Sequence, residues 1–424
     1  MKNLNPEISN PNRKHFTFTE WHWLSAIIAA GILLRLAAIL LYPHVPESDE
    51  LAYLRMAENL IAGKTMRDGG GGYAFYNMGY SFFVVAPALS LFNHSLWGLR
   101  LANLACGTIA IALVYMVARE AGAGRRARLL SAGLWALYLP CGVYGVYLAK
   151  ENFMIPLILG VLWCALRMLR TFQSGVAVLC GGLFGLLALT GNAALSLAGA
   201  VGVALLLSKS TLRLRIVAVP VMLVVATLVA SPWLVRNVTV LGAPVLNTNG
   251  GFNFYLGNNP AATGMFVSIA DTPRGPTWHA LRAKEGEVKA SETLKREALA
   301  WIGSHPREFL ALSVKKLGLF WMPPIHDGRD APGAIEKLIR GVWLIEFSVL
   351  VCAALATLPY VRSRPSLAVL WAAVVFYSAV HMLFYVIFRY REPIMPVLCV
   401  LAAMMLEQAA VAVAKFARQR VRST

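Results

Sequence analysis

The chain has 424 residues, of which 58% are hydrophobic and only 14% charged, with a mean hydropathy of +0.60. That composition excludes a soluble globular fold and places the chain among polytopic membrane proteins. Its 39 Lys and Arg outnumber its 21 Asp and Glu, but the basic residues fall in short clusters between apolar runs, which is a topology pattern and not a polynucleotide-binding face.

A spanning helix needs roughly 20 apolar residues, because the hydrocarbon core is about 30 Å thick and the helix rises about 1.5 Å per residue. The chain opens with a polar stretch unlike a cleaved signal peptide and is expected to keep that end in the cytoplasm. The first span is then Trp21–Leu41. A connection over 42–95 follows. In it, Asp49 and Glu50 begin an amphipathic helix with Ser48 as its N-cap, Tyr53, Met56, Ala57, Leu60 and Ile61 on one stripe, and Gly63 at its end. The GGGG tract at Gly69–Gly72 reads as a hinge, since no phosphate-loop lysine follows it. The segment Gly79–Phe92 is apolar but short and contains Pro87, so it is expected to be re-entrant or interfacial.

Further spans are expected at Leu96–Ala118, Leu129–Leu148, Phe153–Leu169, Gly175–Thr190, Ala193–Leu207 and Leu214–Leu234. After a long connection come Leu338–Pro359, Ser366–Phe388 and Pro393–Ala414, for about ten in all. Within that long connection, Phe309–Met322 is broken by Lys315 and Lys316, is followed by Pro323 and Pro324, and is expected to lie along the membrane surface. No internal repeat is evident. The fold class is therefore an all-α polytopic membrane bundle. It divides into an N-terminal bundle over 1–235, a loop region over 236–337, and C-terminal helices with a basic tail over 338–424.

Lys and Arg resist translocation and gather in cytoplasmic loops. Arg13 and Lys14 precede the first span; Arg119, Arg125, Arg126 and Arg128 follow the second, and Arg170 the fourth. Lys209, Arg213 and Arg215 follow the sixth, Arg362 and Arg364 the eighth, and Lys415, Arg418, Arg420 and Arg422 the tenth. Every second connection is basic, which puts both termini inside and the 42–95 and 236–337 connections outside. The cysteines lie in apolar segments with no CxxC spacing, and the histidines are scattered, so neither a disulfide framework nor a zinc cage is expected.

The outward connections carry charge that short outward loops usually avoid: Lys150 and Glu151 in VYLAKENFMIP, Arg389, Arg391 and Glu392 in FRYREPIMP, and Arg236 at the outer end of its span. The plain alternatives are snorkelling for the cations and helix-dipole stabilisation for Asp49, Glu50 and Glu47. Arg35 and Glu346, inside spans, are assigned to structure first. Acids and cations gathered at one surface suit group transfer from a lipid phosphate to a hydroxyl, with a carboxylate taking the proton and cations offsetting the departing charge. A transporter or flippase of a lipid-linked saccharide is the alternative. It would place its ionisable groups near the midplane on broken helices.

Four stretches carry a family resemblance: PESDELAYLRMAENLIAGK; GYSFFVVAPALSLFNHSLWGLRLAN with LAKENFMIPL; SPWLVRNVTVLGAPVLNTNGGFNFYLGNNPAATG; and RYREPIMPVLCVLAA. Together they resemble the GT-C class of polytopic glycosyltransferases that use polyprenyl-phosphate sugars, specifically bacterial relatives of protein O-mannosyltransferases and of the lipid A aminoarabinose transferase. The third stretch is the most specific. YNMGYS departs from the proline-containing motif of many relatives, and 236–337 shows no acceptor-binding module.

The resemblance implies an inverting transfer at the outer face of the bacterial cytoplasmic membrane, from a polyprenyl-phosphate sugar to a lipid, glycan or protein acceptor. Asp49 is then the catalytic base and Glu151 the second essential acid. Lys150, Arg236, Arg389 and Arg391 are the candidates for the donor phosphate, with Glu50 placed beside them as substrate-binding. No metal is required in that reading, a divalent ion at the acidic loop being the alternative. The partners are the donor, the acceptor and membrane lipids, with no nucleic acid.

Overall fold

A computed structural model of the chain describes residues 18–42, 44–171, 173–323 and 334–423. Arg13, Lys14 and Pro324 lie outside the described residues, as do the side chains of Lys415, Arg418, Arg420 and Arg422. In chain order the helices are α1 (Phe18–Leu41), α2 (Asp49–Ile61), α3 (Ala86–Leu91, entered by a π-helical turn at Ser81–Val85) and α4 (Leu96–Glu120). Next come α5 (Arg125–Leu137), α6 (Leu139–Tyr144), α7 (Glu151–Arg170), α8 (Ser174–Thr190), α9 (Ala198–Leu207) and α10 (Leu212–Leu241). Then follow α11 (Asn249–Gly257), α12 (Trp278–Ser304), α13 (Pro306–Trp321), α14 (Ala334–Leu355), α15 (Pro365–His381) and α16 (Met395–Ser423). Among the described residues no strand is present beyond a single bridge between Met265 and Val386.

The fold is an all-α, multi-pass membrane bundle. Among the described residues six helices are long and apolar enough to cross a membrane, and shorter apolar helices at Ser174–Thr190, Asn192–Leu207 and Pro365–His381 accompany them. Three expected spans differ from the sequence reading. Leu129–Leu148 is split between α5 and α6, because Pro140 at the start of α6 has no N–H for a continuous helix. The run expected over Ser366–Phe388 ends at His381, since the Val386 N–H leaves the helix to bond the Gly264 carbonyl at 2.9 Å. Ala193–Leu207 begins as a 3-10 turn over Asn192–Leu197.

α7 is the central helix, with Ile158, Leu159, Val161, Leu162, Cys164, Ala165 and Leu166 fully enclosed. Lipid offers apolar side chains no less than a neighbouring helix does, so close backbone packing must hold the bundle together. α8 meets α10 in this way. A Cβ at Gly181 would lie 2.7 Å from the Met222 carbonyl oxygen, and one at Gly185 would lie 2.8 Å from that of Ala226. Glu346 of α14 accepts from the Leu139 N–H at the start of α6 (3.2 Å), and Arg35 of α1 donates to the carbonyls of Gly31 and Ala136 (both 3.0 Å), so both intraspan charges serve the bundle.

The 42–95 connection and the stretch from α11 to α13 gather at one end of the bundle. There Tyr255, Leu256, Trp278, Ala290, Leu294, Ala298 and Tyr385 form a separate apolar cluster. At an aqueous surface each large side chain so buried contributes about 1.5–3 kcal/mol. α2 is amphipathic as expected, with Tyr53, Met56 and Ala57 buried. Ser48 stands at its N-cap position but makes no capping bond. Instead it takes φ 49° and ψ −119°.

Candidate active site

The first helical turn of α2 carries the opening pair of acids, and the structure sends them in opposite directions. Glu50 points inward and is 4% exposed. One of its oxygens accepts from the Leu148 N–H at 2.6 Å, and the other accepts from the Glu47 N–H (3.1 Å) and pairs with His44 (2.6 Å). Both oxygens are therefore taken by protein, so the expected substrate-binding place for Glu50 is corrected to an anchor that ties α2 to the strap leading into α7. Asp49 faces the other way. It accepts a hydrogen bond from the Tyr76 phenol at 3.1 Å and is ion-paired with Arg389. The residue before it, Ser48, has a positive φ that L-residues other than Gly, Asn and Asp seldom adopt, a strain of about 1–3 kcal/mol that the surroundings must hold.

Glu151 opens α7 and is buried. Its carboxylate lies 3.8 Å from Arg389 Nε, so one guanidinium stands between two carboxylates delivered by α2 and α7. Arg389 itself comes from the 3-10 turn Phe388–Ile394 that leads into α16. Its Nε makes no hydrogen bond of its own. The Tyr76 phenol is pushed up from its ordinary pKa by burial and by Asp49, so it stays protonated and keeps donating.

Beside this trio opens a cavity of about 200 Å³. Its wall includes Lys150 and Glu151 at the start of α7, Asn192, the α11 residues Asn249 and Asn253, and the rings of His381, Tyr385 and Tyr390. Among the described residues the Lys150 ammonium has neither an ion pair nor a hydrogen bond. α11 is pressed into place by Gly251, where a Cβ would come within 2.0 Å of the Ser291 carbonyl oxygen and only glycine fits. On the far side of Glu151 and Arg389 a second cavity, of about 30 Å³, is lined by Arg35, Asn103 and Glu392, and both Glu392 oxygens lack a hydrogen-bond partner.

Two of the expected phosphate-binding arginines lie elsewhere. Arg236 donates to the carbonyls of Tyr73 and Met66 (both 2.9 Å) and to Asn237 (2.7 Å), and stacks over Trp233 at 4.6 Å. It clamps the 42–95 connection to the end of α10. Arg391 is fully buried, donates to the carbonyls of Phe320 (3.2 Å) and Met322 (2.6 Å), and sits over the Phe347 ring. It joins the end of α13 to α14. Neither lines the cavity.

Tyr76 and the asparagines were not singled out from the sequence. Their signal was thin, since Asn in a connection is ordinary turn chemistry. For a divalent ion the donor set is poor. No three His, Cys, Asp or Glu side chains gather as a metal group among the described residues, and the two facing carboxylates already share Arg389.

Residues 80–235 match the family model of the dolichyl-phosphate-mannose-protein mannosyltransferases, from the π-helical turn before α3 to the C-terminal part of α10. Among curated proteins none matches the chain. Among solved structures it is similar to the archaeal oligosaccharyltransferase AglB from Archaeoglobus fulgidus in complex with an inhibitory peptide and a dolichol-phosphate: TM-score 0.55, 15% identity, 96% of this chain and 52% of that one. An Archaeoglobus fulgidus oligosaccharyltransferase in complex with Zn and sulfate gives a TM-score of 0.52 at 16% identity, over 91% and 49% of the two chains. ArnT from Cupriavidus metallidurans bound to undecaprenyl phosphate gives 0.48 at 15% identity, over 92% and 78%. The chain thus spans about half the length of the oligosaccharyltransferase structures it matches. The family match covers little more than a third of the chain, and the likeness to the oligosaccharyltransferase structures, at 15–16% identity, is one of fold.

Proposed function

We propose that the chain is an inverting glycosyltransferase. It moves a sugar from a polyprenyl-phosphate donor to a hydroxyl of a glycolipid, polysaccharide or protein at the outer face of the bacterial cytoplasmic membrane, with both termini inside. The observation that carries this reading is the Asp49–Arg389–Glu151 bridge beside a cavity whose one unpaired cation is Lys150. The match to a family described by a lipid-phosphate sugar supports the donor class, as does the dolichol-phosphate in AglB.

In this mechanism the acceptor oxygen attacks the anomeric carbon from the face opposite the phosphate. The carbon–oxygen bond to phosphate breaks, its electron pair leaves with the polyprenyl phosphate, and the hydroxyl proton passes to Asp49. Tyr76 and Arg389 fix the carboxylate's orientation, which is the part of general-base catalysis that a structure can supply. Lys150 offsets the charge growing on the phosphate. Glu151 holds Arg389 from the second side, so the chemistry uses a guanidinium where a divalent ion would otherwise bridge two acids. Glu50, Arg236 and Arg391 act as scaffold. The parts assigned from the sequence, a bundle over 1–235, an outer region over 236–337 and closing helices over 338–424, then supply respectively both acids with Lys150, the α11 wall, and Arg389.

The test is consumption of polyprenyl-phosphate sugars by the purified chain in detergent, read as release of polyprenyl phosphate. Binding without release in the presence of acceptor extract, or movement of the donor across a vesicle bilayer without chemistry, would replace enzyme by carrier. Topology is checked in intact cells with an impermeant thiol reagent. Gly70→Cys should label and Arg126→Cys should not; the reverse moves the site to the cytoplasm.

A further inference from the structure

The cavity beside Lys150 is walled by more amides than phosphate departure or proton transfer needs. Asn249 and Asn253 stand four apart on α11 and so present one face to it. Below them runs a relay: Asn247 Nδ2 donates to Asn77 Oδ1 at 2.9 Å, and Asn77 Nδ2 donates to Asn192 Oδ1 at 3.0 Å and to the Ala188 carbonyl at 3.1 Å. Among the described residues the two ends of this relay, Asn247 Oδ1 and Asn192 Nδ2, have no partner, and Asn249 and Asn253 make no side-chain hydrogen bond.

Each amide offers two donors and an acceptor, and a sugar hydroxyl is at once donor and acceptor. A wall of free amides therefore matches neutral hydroxyls and offers no counter-charge. The only acid and the only Lys or Arg on the wall, Glu151 and Lys150, are adjacent in sequence and engaged by the transfer chemistry. The same wall carries Tyr385 and Tyr390, whose rings offer an apolar surface for the carbon face of a sugar ring. The volume of about 200 Å³ falls below the roughly 300 Å³ at which pockets for larger small molecules begin. We infer that the cavity holds the transferred group, a single neutral and hydroxyl-rich sugar, and that Asn249 and Asn253 read its hydroxyls. This rests on the glycosyl-transfer reading above and adds the substrate class.

The experiment offers the purified full chain four polyprenyl-phosphate donors: a neutral monosaccharide, an amino sugar, a uronic acid and a neutral disaccharide. The neutral monosaccharide should be consumed, with kcat/KM for the other three lower by about tenfold or more. Asn249→Ala and Asn253→Ala should each lower kcat/KM for it by about tenfold or more, because a site built around hydroxyl hydrogen bonds loses most when they are removed. Affinity for sugar-free polyprenyl phosphate and the melting temperature should not change, as neither amide has a protein partner. Asn253→Asp should shift preference towards the amino sugar. Preference of the parent chain for a charged sugar or a disaccharide overturns the inference while leaving glycosyl transfer intact, as do alanine variants with unchanged kcat/KM. Consumption of none of the four overturns the transfer reading, and this inference falls with it.

Discussion

The two ends of the bundle bury charges to a similar depth and use them differently. At the end carrying the α4–α5 turn, Glu120 takes Arg167 at 3.2 Å and Arg170 at 3.8 Å, and Glu407 accepts from the N–H groups of Gly124 and Ala127 at the start of α5. Glu20 is held there by Tyr115 and Arg128. Every one of these acids answers a cation or a helix N-terminus, which is scaffold electrostatics. At the end carrying α2, Lys150 has no partner among the described residues, Ser48 is strained and asparagine amides face a cavity. Groups that the protein leaves unsatisfied at one end, while satisfying their like at the other, mark where a ligand belongs.

The sharpest way to break that comparison is Asp49→Asn. The amide keeps the size and the Tyr76 bond but takes no proton at neutral pH, so turnover per folded molecule should fall roughly 10²-fold or more. Donor binding should persist, and Glu47→Gln should be nearly silent. If the acids served only the helix dipole, Asp49 and Glu50 would matter alike, through folded yield, each by about 0.3–1 kcal/mol. An active Asp49→Asn protein would therefore reassign this end to structure.

Next in size is a contrast between two arginines only two residues apart. Arg389→Met should remove turnover and leave more of the folded yield than Arg391→Met does, because of the two acids it frees Asp49 is partly exposed and only Glu151 is buried. Arg391→Met should do the opposite. It strips charge-assisted bonds from the carbonyls of Phe320 and Met322, each worth about 1.5–3 kcal/mol. Detergent melting and donor turnover, measured on both variants, separate the two roles; equal losses in both assays would dissolve the distinction.

This pair also shows what was legible in the sequence. The six long apolar helices were, because lipid thickness fixes their length and nothing else in the chain is so apolar for so long; the expected spans over 129–148, 193–207 and 366–388 were not. The gathering of Asp49, Glu151, Lys150 and Arg389 at one end was, because charge in a short connection between spans is uncommon enough to need a reason. Arg236, Arg391 and Glu50 looked the same in sequence, and only the fold shows that carbonyls and N–H groups have claimed them. The break at Pro140 was visible as a residue, but whether a proline kinks a span or ends it depends on the neighbours that take up the freed backbone. The asparagine wall could not be read at all, since its members lie in three separate connections and each alone passes for a turn residue.

Smaller again is Lys150→Ala. If its free ammonium meets the donor phosphate, one charge-assisted contact is lost and donor affinity should drop by about tenfold, the scale of a charged hydrogen bond worth about 1.5 kcal/mol. Turnover at saturating donor should fall less than in Asp49→Asn. Unchanged affinity would return Lys150 to snorkelling.

The smallest effect concerns a lysine that the protein has satisfied only in part. Lys316 of α13 is fully buried and donates to Asn258 Oδ1 at 3.0 Å, and burial lowers its pKa from the ordinary lysine value to about 8. Between about 8 and that ordinary value the unfolded chain binds more protons than the folded one, so this group makes stability rise with pH across that window and contributes no slope below it. Lys316→Met keeps the length of the side chain and removes the titration. The parent's melting temperature, minus that of the variant, should therefore climb as pH passes from 8 to 10 and stay flat from 6 to 7.5, with the variant at least as stable in the lower range. Curves that run parallel throughout would mean that Lys316 is solvated, and would group it with the free cation at position 150, not with the scaffold that holds the α11 wall in place.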